Sequence, residues 1–148
     1  MDESKDETYD VDAKVQKIIN KLIAEEVIAH DFYIACCMAA TKDEANEFRT
    51  MFISTAVDEL DDHRNGIAQW AIDNGYSVPF KYKDYRKHAD KKLFDLLDKL
   101  KPGKDAKSYV EDAILSENLA IESYEDAMKY DGVPYELHSI LMKNYYDE

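Results

Sequence analysis

The sequence predicts an all-α fold: four main helices in two antiparallel hairpins, joined by a long crossover that carries a short extra helix. Three observations predict it. Breakers are scarce, with Gly 4 and Pro 3 in 148 residues. Helix formers dominate beside a charged fraction of 34%. Apolar residues recur at helical spacing along most of the chain. This length is one domain's worth and can bury a single sizeable core.

Residues 1–10 are acidic and lack an apolar run, so they read as a flexible, solvated tail and as neither a signal peptide nor a membrane anchor. The first helix is expected over about residues 11–40, capped by Asp10 or Asp12. Thr41-Lys42-Asp43-Glu44 reads as a turn, and the second helix as residues 43–74, stopped by Gly75. Residues 76–85, with Ser77-Val78-Pro79, are expected as a crossing loop. Leu93, Leu96, Leu97 and Leu100 predict a short amphipathic helix over residues 87–100, ended by Pro102-Gly103. A third long helix is expected over residues 105–130, and a short fourth one over residues 135–148, after the break at Asp131-Gly132-Val133-Pro134. Residues 11–148 thus form one bundle domain.

The net charge of −13 has two readings: solubility, or attraction of divalent cations to an acidic surface. Either disfavours nonspecific nucleic-acid binding, which needs surplus Lys and Arg. The two cysteines, Cys36 and Cys37, are adjacent and point apart on a helix, so no disulfide framework is implied and a cytoplasmic location is expected. No run of about 18 apolar residues suggests a membrane span.

On a wheel of about 100° per residue, Val15, Ile19, Leu22, Ile23, Ile34 and Cys37 form one stripe of the first helix, with Glu26 near its centre and His30 and Tyr33 inside it. A buried carboxylate costs several kcal/mol unless a metal ion, a Lys or Arg, or a proton compensates it. The third helix repeats the arrangement: Val110, Ala113, Ile114, Ile121 and Met128 flank Glu117, and Tyr124 follows seven residues later. Glu26 to Tyr33 and Glu117 to Tyr124 share a Glu, an Ala three later and a Tyr seven later, an internal repeat of chemical groups. Neither stripe holds Lys or Arg, which makes charge pairing a poor explanation for both acids. The second helix offers Phe52, Ile53, Ala56, Leu60, Ile67 and Trp70 as its face, with His63 within it, Glu59 at the edge and Asp62 further toward solvent. In the fourth helix Leu137, Leu141, Asn144 and Glu148 follow one line, which points Glu148 inward. Carboxylates and an imidazole together suit iron or manganese.

The run from Ile19 to Tyr33 resembles the first helix of bacterioferritin-type ferritins, members of the ferritin-like superfamily. Gly103 through Glu117 to Ala127 resembles their third helix, Glu59 falls where the second-helix Glu-x-x-His motif begins, and Asp147-Glu148 resembles the start of the fourth-helix Asp-Glu-x-x-His motif. The resemblance implies a ferritin-like four-helix bundle with a di-iron site. Its metal ligands would be Glu26, Glu59 and Glu117, with Asp62 or His63 and Glu148 completing the set, and Tyr33 would lie beside the metals as an electron donor or hydrogen-bonding group. By register with Gly75, Asp62 stands at the family's second-helix histidine and His63 one place later. Leu60 replaces the haem-binding Met, so no haem is expected.

Iron-binding with Fe(II) oxidation, and storage of the product in a homo-oligomer, is the expected function. Two rivals stand beside it: a di-iron or di-manganese oxidase or peroxidase of a small substrate, and a metal-free ferritin-like structural or interaction module. Tyr33 and Tyr124 also fit the role of plain core tyrosines. The tyrosines at 76, 82, 85, 145 and 146 read either as a subunit interface or as ordinary solvent-edge residues.

Overall fold

Long stretches of helix formers fold as expected, into helices alone; no strand occurs among the described residues. A computed structural model describes the backbone of residues 3–39, 45–104 and 106–148, and the side chains of residues 11–39, 49–104 and 107–148. The all-α architecture comprises α1 (Glu3–Ala39), α2 (Ala45–Asp58), a π-helical turn (Glu59–Arg64), α3 (Asn65–Asp73), α4 (Tyr82–His88), α5 (Lys91–Asp98), α6 (Ala106–Lys129) and α7 (Tyr135–Asp147). α2, the π turn and α3 run on without a break, matching the single second helix read from the sequence. Gly75, at φ +82°, follows its end in the left-handed conformation that glycine adopts without a steric cost.

Two features differ from expectation. α1 opens at Glu3, so part of the stretch read as a tail is helical. The crossover holds two short helices: α4 starts inside the expected loop, and Asp90 caps α5 by accepting a hydrogen bond from Lys92 N at 2.8 Å. The expected turn at residues 41–44 lies outside the described residues.

α1 is the hub. It packs against α2, the π turn, α3, α4, α5 and α6, while α7 packs on α6 and α3. Leu93 and Phe94 of α5 pack on Ile28 of α1. Every residue from Leu22 to Ala29 is therefore buried, polar ones included. Cys36 and Cys37 are both free and buried, in a cluster with Phe32, Tyr33, Phe52, Tyr109 and Ala113. No helix among the described residues is long and apolar enough to cross a membrane.

The face of α6 is rotated from the one expected. Ile114 is 55% exposed, whereas Tyr109, Ala113, Ser116, Ser123, Tyr124 and Ala127 are buried. Tyr109 goes inward because its hydroxyl has a partner there: it donates to Lys101 O at 2.8 Å.

Candidate metal centre

Three helical segments bring acids and an imidazole to one point. Glu26 comes from the buried stretch of α1, Glu59 and His63 from the π turn, and Glu148 from the end of α7. One donor atom from each lies within 4.8 Å of every other. His63 Nδ1 stands 3.2 Å from Glu148 Oε1, 3.5 Å from Glu26 Oε2 and 3.6 Å from Glu59 Oε2.

The π turn sets this geometry. Asn65 N–H reaches back five residues to Leu60 O, which widens the helix by about one residue relative to an α-helical turn. Glu59 and His63, four apart, consequently both turn inward. One wheel reading is thereby corrected: Glu59 is buried, not at the edge, whereas His63 is buried and Asp62 turned toward solvent as the wheel placed them. Asp62 is half exposed and accepts a hydrogen bond from Lys143 Nζ at 2.9 Å. It does join a second, outer grouping with Asp147 and His63, whose Nε2 is 3.4 Å from Asp147 Oδ2.

Glu117 borders this cluster, sharing the lining of two cavities with Glu59 and Glu148. The internal repeat explains the tyrosines. Tyr33 on α1 donates a short hydrogen bond to Glu117 on α6, and Tyr124 on α6 donates to Glu26 Oε1 on α1 at 2.5 Å. Each tyrosine holds the other helix's glutamate. Tyr33 faces an open cleft of about 550 Å³, whose other walls include Met51, Phe52, Val110 and Ile114. Tyr124 is sealed from solvent. His30, inside the stripe by sequence, is only half-buried and sits 3.0 Å from Asp31.

Burial pushes the carboxyls of Glu26, Glu59 and Glu148 above their ordinary range, and their mutual repulsion adds to it. Burial alone would lower His63, but Glu148, Glu26 and Glu59 overrule it and hold the imidazole well above its usual value. Burial also raises Tyr33 and Tyr124, with Glu117 and Glu26 respectively reinforcing it.

These shifts share one sign. A raised acid in the folded chain contributes stability that is present below its unfolded value near 4.5 and lost as pH rises through its raised value. The raised His63 contributes stability below 6.5 that is likewise lost as pH rises. The metal-free protein is therefore expected to lose thermal stability steadily from about pH 5 to about pH 9. Circular dichroism melts in the presence of a chelator check this; a melting temperature that rises across that window refutes it.

A metal fits the donor set. Glu26 Oε2, His63 Nδ1 and Glu148 Oε1 are buried and, among the described residues, have no partner outside the cluster they form with one another. Buried polar atoms are rarely left so. Carboxylate oxygen with imidazole nitrogen suits iron or manganese.

Sequence reasoning did not find two groups. Glu25 is buried, its Oε2 3.3 Å from Asp90 N, because the crossover covers the face of α1 that a wheel leaves to solvent. Asn144 was placed on the inward line of the fourth helix but given no task; its partners, described below, lie on two other segments. No family model matches the chain, and comparison with curated proteins and with solved structures gives no match, so what the site can do rests on its own geometry.

Proposed function

We propose that the chain is a ferritin-like four-helix bundle that binds Fe(II) at a di-metal carboxylate site and oxidises it, O₂ or peroxide accepting the electrons. One observation carries this reading: four donor atoms from three segments converge within 4.8 Å, three of them buried and otherwise unpartnered. Glu26, Glu59, His63 and Glu148 would hold one ion. Glu117, with Glu59 and Glu148 shared, would hold the second. The four carboxylates carry the negative charge that two divalent ions neutralise, which offsets the cost of burying them. Bound iron would supply the redox chemistry. Tyr33 and Tyr124 would fix the orientation of Glu117 and Glu26, and Tyr33 faces the open cleft from which an electron acceptor can approach. Manganese is the alternative metal. Storage would further require assembly of copies into a closed shell, which particle mass from size-exclusion chromatography tests.

The cleft of about 550 Å³ favours a second reading, a di-metal oxidase or peroxidase of a small organic substrate, since that volume lies in the range of ligand pockets. The deciding experiment is metal analysis of protein purified from iron-supplemented cells, joined to Fe(II)-dependent oxygen uptake. At least about one metal per chain with oxygen uptake is expected. Less metal and no uptake would leave a metal-free structural module as the reading.

A further inference from the structure

Among the described residues Asn144 is the one buried side-chain amide, and it lies at the site's edge, where a polar group needs a reason. It lies on α7, 1% exposed, one turn before Glu148. Its Nδ2 donates to the backbone carbonyl of His63 at 3.3 Å and to Tyr124 Oη at 3.2 Å. The carbonyl only accepts, so it fixes which end of the amide points there. Tyr124 passes its own proton to Glu26 Oε1 at 2.5 Å. Asn144 O in turn accepts from Glu148 N at 3.2 Å, closing the turn that aims Glu148. Two of the four convergent donors thus trace back to this side chain, His63 through its own carbonyl and Glu26 through Tyr124; the backbone bond to Glu148 is one that any residue here would make.

The geometry points to Asn144 as a positioning residue that holds Glu26 and His63 in metal-binding geometry by joining the π turn, α6 and α7 at one buried point. This rests on the di-metal reading above. A chain of hydrogen bonds ending on a carboxylate polarises along its length, so Asn144 strengthens the Tyr124 donor as well as placing it. A leucine of similar volume would fill the space and supply neither bond. The rival explanation, that Asn144 merely pins α7, predicts equal damage to the fold with or without metal and no dependence on Tyr124.

The test uses Co(II) as a redox-inert probe, followed by its visible absorption and by calorimetric titration, on the full chain. Asn144→Leu is expected to weaken Co(II) binding about 10–100-fold and to alter the Co(II) absorption bands. Asn144→Ser, whose hydroxyl is too short to reach both partners, carries the same expectation should the leucine variant not fold. Tyr124→Phe should weaken binding too, and adding Asn144→Leu to it should then cost less than Asn144→Leu costs alone. Unchanged affinity and spectrum in both Asn144 variants, or losses that simply multiply in the double variant, overturn the assignment while leaving the metal site standing. Absence of Co(II) binding by the unaltered protein overturns both.

Discussion

Saturating the metal-free protein with Co(II), in the absence of air, is expected to raise its melting temperature by about 8–16 °C at a thousandfold excess over the dissociation constant. Mass action at that excess contributes about 4 kcal/mol, and each kcal/mol moves the midpoint by roughly 2–4 °C in a chain of this size. The gain arises at Glu26, Glu59 and Glu148, whose carboxyls are forced above their ordinary range when only His63 shares their space. An ion replaces proton sharing by coordination, so the cluster changes from a burden on the fold to a brace. Differential scanning calorimetry with and without Co(II), and again after chelation, measures it. A rise within the scatter of repeat scans would show that the acids are satisfied without metal.

Glu59→Leu is expected to act with opposite signs in the two states. Glu59 stands between the two proposed ion positions, 3.6 Å from His63 Nδ1 and lining both cavities beside Glu117 and Glu148. Replacing it with an apolar side chain removes a buried acid from a crowd of acids. The metal-free protein should gain stability, by about 1–4 kcal/mol, as replacement of buried ionic groups often does. The same change removes a ligand common to both ions, so the Co(II)-dependent rise should disappear. Chemical denaturation of the metal-free variant and its melt with Co(II) together read both signs. A destabilised metal-free variant that still responds to Co(II) would place Glu59 outside the site.

The helices were legible because their signals are local: scarce breakers and long periodic runs set α6 and α7 nearly to the residue, while α1 opens eight residues before its expected start. Glu26 was legible for the same reason, since six apolar residues on one wheel agree on its direction. Glu148 was too, through the line of Leu137, Leu141 and Asn144, all three of which are buried. Glu59 was harder, although His63 was read on the inward face where it lies. A wheel of constant pitch has no place for a π turn, and a single wider turn rotates everything after it. On α6 the wheel favoured Ile114 over Ser116 and Ser123 by hydropathy alone, yet the two serines are buried and the isoleucine is exposed. What one sequence segment could not reveal is partnership: the Glu-to-Tyr repeat was visible, but not that each tyrosine serves the opposite helix.

That crossing of the tyrosines sets the order in which the site can come into being. Glu26, Glu59 and His63 belong to the earlier part of the chain, yet Glu26 is held by Tyr124, and Tyr33 is held by Glu117. A chain that has emerged only through α3 carries Glu26, Glu59, His63 and the π turn but not Tyr124, so Glu26 stays unheld until α6 docks on α1. Were the proposed site to take up metal, full loading would follow that docking.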